Sequence, residues 1–141
     1  MNNREELFEQ LVENIRGVQQ GMVGRNQNHK SLPFGQKTAL FAVCANPKTN
    51  VKQLANKLKI TSGAATQHVE ALVQAGLVER AENPNDRRNV VIVPTAKGRK
   101  YLKRMKDHMR ENLKEIFSVA TNDELEVYVR VLKKINNKLQ T

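Results

Sequence analysis

The sequence contains few of the features that mark secreted, membrane or disulfide-stabilised proteins. Its 141 residues include one cysteine, Cys44, so an internal disulfide framework is excluded and a reducing cytoplasm is the expected compartment. No uninterrupted apolar run approaches the roughly 20 residues that a membrane-spanning helix needs. The amino-terminal residues also lack the apolar core of a signal peptide. We therefore expect a cytoplasmic protein with no membrane partner.

The sequence also lacks the motifs on which most enzymes depend. It has no glycine-rich loop suited to phosphate, no credible nucleophile–base pair and no set of metal ligands at suitable spacing. The three histidines, His29, His68 and His108, are scattered, whereas a zinc site needs several ligands that converge. We therefore expect no enzymatic activity, no cofactor and no metal, and we assign no catalytic residue.

What the chain has in excess is positive charge. Its formal net charge is +10 at pH 7 and its isoelectric point is near 10.0, which favours attraction to phosphate or to an anionic surface. Charge alone does not identify the partner, because many basic proteins bind nothing acidic. The length predicts one domain over residues 1–141, large enough to bury a core without covalent cross-links.

Hydrophobic periodicity predicts six helices and one β-hairpin, hence a mainly α fold with a small β element (α+β). Prolines near the start and beyond the end bound the second helix, and the capping sequence Thr121–Glu124 starts the last one. A polar loop is expected at Gly24–Lys30. The predicted helices before the last are Arg4–Val23, Leu32–Ala45, Asn50–Lys59, Ser62–Ala75 and Thr95–Val119.

The third and fourth helices form a helix-turn-helix pattern. Asn50 with Gln53 resembles a capping box, which would begin the third helix. A short break at Ile60–Thr61 separates it from the fourth helix, and Gly76 is placed to end that helix in the left-handed conformation. The outer face of the fourth helix is small and polar, as in a helix that approaches another molecule closely.

The segment after the fourth helix predicts a hairpin that carries cations. Strands are expected at Leu77–Ala81 and Asn89–Val93, joined through the turn-forming residues Asn83–Asp86. Arg87 and Arg88 would lie at the tip of this hairpin. Adjacent arginines on a projecting hairpin suit a grooved polyanion, and DNA is the obvious one.

Apolar residues in the first and last helices recur at alternating spacings of three and four. Such narrow seams are what one helix offers to another. They fit a helical bundle between two subunits, although packing within one subunit gives the same pattern. The positions assigned to dimerisation are Phe8, Leu11, Ile15, Val18, Leu125, Tyr128, Leu132 and Ile135.

These elements, in this order, resemble the MarR family of transcription regulators. The resemblance covers essentially the whole chain, and its more specific part is an Asp-x-Arg hairpin that leads to a Thr-x-x-Gly helix start. Two residues depart from the family pattern, because Gln67 stands where arginine is common and Pro94 stands where leucine is more usual. The segments that carry the resemblance are Val51–Leu58, Gly76–Arg80, Asp86–Arg88 with Val91, and Pro94–Gly98.

The resemblance implies a winged helix-turn-helix protein that binds DNA as a homodimer. In this family the helix corresponding to Ser62–Ala75 reads the major groove, the hairpin (the wing) reaches the minor groove, and the terminal helices form the dimer. Many members respond to a small aromatic anion, others to oxidation or zinc, and most repress nearby genes. Within one MarR-like domain, a winged helix-turn-helix lobe is expected over residues 32–98, with dimerisation helices over residues 1–24 and 99–141.

Three groups of residues are predicted to contact DNA. In the wing, Arg87 and Arg88 would enter the minor groove, with Asp86 as an orienting partner for an arginine. The alternative for the two arginines is a solvated charged turn, and the alternative for Asp86 is an isolated surface acid. Four cations would hold the phosphate backbone, unless each is simply solvated: Lys52, Lys57, Lys97 and Arg99. The group on the recognition helix is Ser62, Gly63, Ala64, Thr66, Gln67 and His68.

Three single residues carry more specific expectations. Gln67 has the donor and the acceptor that pair with an adenine edge. His68 would contact phosphate or, equally, pack at the margin of the helix. Cys44 follows Phe41 by three residues on an apolar face, so a buried and inert thiol is expected, with redox sensing as a minor alternative.

The sequence therefore predicts a sequence-specific DNA-binding transcriptional regulator, acting as a homodimer on a palindromic operator. Repression is the expected outcome, with release by a small-molecule effector such as an aromatic anion. We assign no effector-binding residue from the sequence. The main alternative is a basic protein of the nucleoid type that binds DNA or RNA without sequence preference. A further alternative is a protein-interaction module that kept the fold and lost DNA.

Overall fold

The computed structural model describes residues 2–26 and 31–141, so residues 27–30 of the predicted loop, with His29, lie outside the described residues. Six α-helices and an antiparallel hairpin occupy that range, which confirms the predicted fold class. No helix among the described residues is long and apolar enough to cross a membrane. The strands are β1 (Val78–Asn83) and β2 (Asp86–Pro94). The helices are α1 (Asn3–Asn26), α2 (Phe34–Ala45), α3 (Val51–Leu58), α4 (Ser62–Gln74), α5 (Ala96–Ile116) and α6 (Asn122–Gln140), with a single 3-10 turn at Phe117–Val119.

The chain divides into two compact units within α2, Met1–Lys37 and Thr38–Thr141. The first unit contains α1 and the first turn of α2. α1 extends to Asn26, three residues beyond the predicted end at Val23. The seam residues Phe8, Leu11, Ile15 and Val18 are each about half exposed, so α1 presents an apolar seam to solvent.

Side-chain caps start the helices of the second unit where the sequence placed them. At α3, Asn50 Oδ1 accepts from the Gln53 N–H at 2.8 Å, and Gln53 Oε1 accepts from the Asn50 N–H at 3.1 Å. Thr121 and Glu124 make the same reciprocal pair at α6. Such a capping box satisfies two backbone donors that the first turn leaves without partners. Both predicted capping boxes are confirmed.

The core of the second unit comes from α2, α3, α4, the hairpin and the start of α5, which contributes Leu102. Backbone pairing also joins the hairpin to the loop before α3, because the Ile92 N–H donates to the Thr49 carbonyl at 2.7 Å. The apolar residues of α4 face this core, which leaves the opposite face of that helix exposed. The largest fully buried side chains are Leu40, Val43, Leu54, Val69, Leu72, Val78 and Ile92.

The hairpin is longer than predicted. β1 continues to Asn83 and β2 begins at Asp86, so Pro84 and Asn85 alone form the turn. The Asn83 side chain accepts from the Asn85 N–H at 3.1 Å. This is the short local hydrogen bond with which asparagine stabilises a turn.

An irregularity near the turn changes the position of the two arginines. Asn83 pairs with Asp86, although the residue before it in β1 pairs with Val90. Residues 87–89, which include both arginines, therefore bulge out of the ladder. The arginines lie in this bulge beside the turn, which corrects the prediction that they occupy the tip of the hairpin.

Hydrogen bonds to three consecutive carbonyl groups join the end of α4 to the start of α5. α4 ends in a Schellman turn, in which Gly76 has a φ of 73° and the Leu77 N–H donates to the Leu72 carbonyl at 2.9 Å. The left-handed conformation predicted for Gly76 is confirmed. We name the following contacts the α4–α5 junction: Lys97 Nζ to the Ala75 carbonyl at 2.8 Å, Thr95 Oγ1 to the Gly76 carbonyl at 2.6 Å, and the Thr95 N–H to the Leu77 carbonyl at 3.1 Å.

Gly98 lets the two helices approach closely at this junction. A Cβ atom at position 98 would lie 2.0 Å from the Leu77 carbonyl oxygen, so only glycine fits there. Thr95 Oγ1 also accepts from the Gly98 N–H at 3.0 Å. One threonine side chain therefore caps α5 and holds the end of α4 at the same time.

We expect Gly98→Ala to destabilise the fold, because the new methyl group collides with backbone that cannot move without breaking the α4–α5 junction. Overpacking of this kind costs about 1–3 kcal/mol in the free energy of unfolding, which denaturant titration measures. Gly63→Ala is the matched control, since its added Cβ meets only the Thr61 hydroxyl oxygen, at 4.0 Å. Equal stability of Gly98→Ala and the parent chain would contradict the close approach.

Candidate nucleic-acid interface

The exposed face of α4 is the first part of the candidate interface. Burial of Ala65, Val69 and Leu72 fixes the rotation of the helix about its axis. The opposite face, at spacings of four, three and four residues, therefore points to solvent. Its members are Gly63, Gln67, Glu70 and Gln74.

The first turn of α4 is open to an anion. The Thr61 side chain caps it by accepting from the Ala64 N–H at 3.1 Å, and the first turn contains no acidic residue. Ser62 and Gly63 are exposed and small, so a ligand can approach the backbone N–H groups closely. The Thr66 hydroxyl donates to the Ser62 carbonyl at 2.8 Å, which leaves its oxygen lone pairs for a partner.

The predicted recognition residues are not equally accessible. Ala64 and His68 are half-buried at the margins of the exposed face, and for His68 this matches the alternative that it packs there. The exposed members of the predicted group are Ser62, Gly63, Thr66 and Gln67.

The bulge of the wing presents the exposed side chains of Arg87 and Arg88. Asp86 Oδ1 accepts from the backbone N–H of Arg88 at 3.0 Å, so the carboxylate fixes the backbone that carries this arginine. The bulge is also tied to the helix-turn-helix, because Asn50 Nδ2 donates to Asn89 Oδ1 at 3.3 Å. Asn50 caps α3 as well, and the wing therefore keeps a fixed position relative to α3.

An ion pair joins α4 to the wing. Arg80 of β1 donates to Glu70 Oε1 of α4 at 2.5 Å, with 36% and 51% of the two side chains exposed. Sequence reasoning assigned no role to Glu70 and placed Arg80 only in the hairpin motif. A contact between two different elements leaves no periodic signal in the sequence, so the pair could be found only in the folded chain.

The four cations predicted to hold phosphate have different surroundings. Lys52 and Lys57 are exposed on α3. Lys97 is exposed too, but its Nζ is bound to the Ala75 carbonyl, where it stabilises the end of α4. Arg99 is exposed on the second turn of α5 and lines a groove.

This groove has a volume of about 390 Å³ and is lined by residues of α2 and α5. Phe41 and Leu102 contribute apolar surface, and Arg99, Lys103 and Lys106 contribute positive charge. Lys106 Nζ lies 5.7 Å from the centre of the Phe41 ring, within the range of a cation–π contact. None of the described residues that line the groove is acidic. Sequence reasoning missed the groove because it depends on how α2 and α5 pack side by side.

Cys44 lines the same groove and is half-buried. Burial raises the pKa of its thiol above the ordinary value, while the positive charges of Arg99 and Lys106 act in the opposite direction. The thiol is therefore protonated at neutral pH, and a protonated thiol is a poor nucleophile. This fits an unreactive cysteine better than a redox sensor.

Apolar side chains along α6 are open to solvent. Every residue of this helix is at least partly exposed, including Tyr128, Leu132 and Ile135 of the predicted seam. The Tyr128 ring contacts the Phe117 ring at a centroid distance of 5.3 Å, which holds the start of α6 against the 3-10 turn. A contiguous exposed apolar face of this kind is typical of a surface that binds another protein.

Comparisons with known proteins agree with these features. Residues 30–89 match the sequence profile of the MarR family. The HTH-type transcriptional regulator YcgE from Bacillus subtilis is 35% identical over 95 residues, which are 67% of this chain and 61% of that protein. The chain thus spans about three fifths of the length of this relative.

Solved structures show the same fold over nearly the whole chain. A MarR family protein from Bacillus stearothermophilus has a TM-score of 0.81 and 22% identity, covering 100% of this chain and 99% of that one. Streptococcus pneumoniae FabT, solved in complex with DNA, has a TM-score of 0.77 and 19% identity, covering 98% of each chain. The sequence matches show that the chain belongs to the MarR family, and the six helices and the hairpin of the described residues show the winged-helix fold.

Proposed function

We propose that this protein represses transcription in the cytoplasm by binding a specific DNA sequence as a homodimer. One observation carries the proposal: the open amino terminus of α4 lies in the same unit as a bulge with two exposed arginines, and the Asn50–Asn89 hydrogen bond ties that bulge to the helix-turn-helix. The likeness in fold to FabT supports it, because FabT was solved in complex with DNA.

In this proposal, α4 enters the major groove and the wing follows the adjacent minor groove. Gln67 projects from the exposed face of α4 and carries a donor and an acceptor, the combination that pairs with an adenine edge. Ser62 and Gly63 let the N–H groups at the start of α4 approach a phosphate. Arg87 and Arg88 suit a narrow minor groove, where the negative potential is strongest.

Exposed cations around these elements would contact the phosphate backbone. Lys52 and Lys57 of α3 and Arg99 of α5 are proposed for this role. Lys97 is compatible with it, since its ammonium group has three donor hydrogens and can hold the Ala75 carbonyl and a phosphate together. Each neutralised phosphate releases counterions, so affinity would fall steeply as the salt concentration rises.

We expect Arg88→Ala to weaken operator binding at every salt concentration, because it removes a cation from the exposed bulge. The slope of log affinity against log salt concentration should decrease by about one unit. Titration of a duplex recovered from a random pool, at several salt concentrations, measures both quantities. Lys114→Ala is the control, since it removes an exposed cation that is paired with Glu111 on α5. An unchanged affinity for Arg88→Ala would dismiss the proposed role of the wing.

A second copy of the chain is proposed to cover the apolar seams of α1 and α6. In the single chain, Tyr128, Leu132 and Ile135 keep 40–49% of their surface exposed. Burial of these side chains against a partner removes apolar surface from water, which is the main source of stability in homodimers. Two recognition helices held about 34 Å apart would then enter successive major grooves of a palindromic operator.

We expect Leu132→Lys to yield a monomer, because a lysine in the apolar seam cannot be buried without a partner for its charge. Sedimentation equilibrium should show the mass of one chain, and operator affinity should fall because the two half-sites are no longer bound by a linked pair. Asn137→Lys is the control, since it adds the same charge about 140° around the helix from Leu132. A dimeric Leu132→Lys protein would contradict the proposed interface.

An effector is proposed for the groove lined by α2 and α5. Its volume lies within the range of roughly 300–1,000 Å³ that is usual for small-molecule sites. Phe41 and Leu102 offer surface for an aromatic ring, and Arg99, Lys103 and Lys106 offer positive charge for a carboxylate. An aromatic carboxylate therefore suits the groove.

Binding in the groove would affect DNA recognition through the start of α5. Arg99 follows Gly98 directly and lies two residues beyond Lys97, so a ligand that moves Arg99 also strains the α4–α5 junction. The junction would pass this movement to α4. By reciprocity, an effector that weakens DNA binding must itself bind more weakly to the DNA complex.

We expect benzoate to slow the alkylation of Cys44 by iodoacetamide, because an occupied groove covers the thiol. In the absence of benzoate, alkylation should be slow at neutral pH and should accelerate as pH rises, since burial raises the pKa of this thiol and the thiolate is the reactive form. Arg99→Gln should slow it further at a given pH, because the loss of a nearby positive charge raises the pKa again.

Mass spectrometry of timed samples measures these rates. Arg104→Gln is the control, since Arg104 is an exposed cation of α5 that does not line the groove. Alkylation as fast as that of a free peptide thiol, with no effect of benzoate, would rule out an effector site at this groove.

A further inference from the structure

Glu70 is an acidic residue on the face of α4 that the proposed function places against DNA. It lies three residues after Gln67 and four before Gln74, so the three side chains share the exposed face. A free carboxylate at this position would be repelled by the phosphates of a duplex. Its presence on a reading helix therefore needs a physical explanation.

The explanation lies in its pairing with Arg80. Arg80 Nη2 donates to Glu70 Oε1 at 2.5 Å. Arg80 pairs across the hairpin with Ile92, which is fully buried, so the sheet fixes the direction from which the guanidinium reaches α4. An ion pair as exposed as this one contributes little to folding. Its consequence is local, because it neutralises the Glu70 carboxylate and fixes its orientation.

One oxygen of the carboxylate remains available. Arg80 binds Oε1, and among residues 2–26 and 31–141 no other group donates to the Glu70 side chain. A carboxylate accepts hydrogen bonds and cannot donate them. In the major groove, cytosine presents the N4 amino donor alone, whereas adenine places an N7 acceptor beside its amino group. Guanine presents two acceptors and thymine an acceptor and a methyl group, so cytosine is the base that complements a carboxylate oxygen.

We propose that Glu70 selects cytosine at one position of each half-site and that Arg80 is the positioning residue that holds its carboxylate. The inference rests on the proposed function, because it requires α4 to lie in the major groove. It adds a second base-reading side chain to the face that already carries Gln67.

The test is the selection of bound duplexes from a random pool by the full-length parent protein and by Glu70→Gln. The parent should enrich an inverted repeat in which cytosine is favoured about tenfold at one position of each half-site. Glu70→Gln should lose that preference and keep the others, because its amide presents a donor and an acceptor where the acid presents two acceptors. Glu79→Gln removes an exposed acid from β1, outside α4, and should reproduce the parent profile.

Arg80→Gln tests the positioning role. It should weaken binding to every duplex and reduce the cytosine preference, because Glu70 is left charged and unrestrained. In a Glu70→Gln background, the same substitution should leave the base preferences unchanged. If Arg80 merely supported the fold, its substitution would have the same effect with and without Glu70. Circular dichroism and sedimentation check the fold and the mass of each variant.

The results distinguish a failure of the Glu70 role from a failure of the proposed function. If the parent enriches a repeat and Glu70→Gln enriches the same cytosine equally well, the role of Glu70 is overturned and the proposed function stands. If the parent enriches no sequence at all, the proposed function fails and the inference fails with it.

Discussion

The carbonyl groups of Ala75, Gly76 and Leu77, directly after α4, position the rest of the candidate interface. The Schellman turn satisfies carbonyls within the last turn of α4, and the Thr95 and Lys97 donors at the start of α5 bind the three carbonyls that follow it. The absence of a side chain at Gly98 allows the approach. The helix α4, the base of the wing and the long helix α5 therefore meet at one place. Since α5 also lines the groove, this junction would link the proposed effector to the position of α4.

Two acidic groups of the candidate interface, those of Asp86 and Glu70, are held by donors within the protein. Asp86 accepts from the backbone N–H of Arg88, and Glu70 accepts from the side chain of Arg80. Both contacts hold parts of the protein that would face the duplex. The Asp86 carboxylate fixes the backbone of the bulge, and the Glu70 carboxylate joins α4 to β1. A surface that binds a polyanion can contain carboxylates when each is paired with a donor, since a paired carboxylate repels phosphate less than a free one.

The parts of the fold that sequence reasoning predicted correctly depend on neighbours in the chain. The capping boxes at Asn50 and Thr121 and the left-handed Gly76 each involve residues within five positions, so their signals are local. The predicted ends of the two strands were wrong, because strand register depends on partners across the turn. The bulge that carries Arg87 and Arg88 was also missed, since the sequence of one strand does not reveal it.

In the candidate site, too, local features were predicted and contacts between distant residues were not. Exposure of Gln67 and of the two arginines followed from periodicity and turn signals. The Glu70–Arg80 pair and the Lys97–Ala75 contact join residues 10 and 22 positions apart on different elements. The groove needs α2 and α5 to pack together, although they are separated by about half the sequence of the second unit. Such contacts exist only after the chain has folded.

Hydroxyl-radical footprinting of a selected duplex, bound by the full-length protein, tests the central claim most directly. We predict two protected regions related by a two-fold axis and centred about one helical turn apart, with flanking minor-groove protection that disappears when Arg87 and Arg88 are replaced by alanine. Uniform protection along the duplex, unchanged by these substitutions, would contradict the account and would indicate a basic protein that binds DNA without sequence preference.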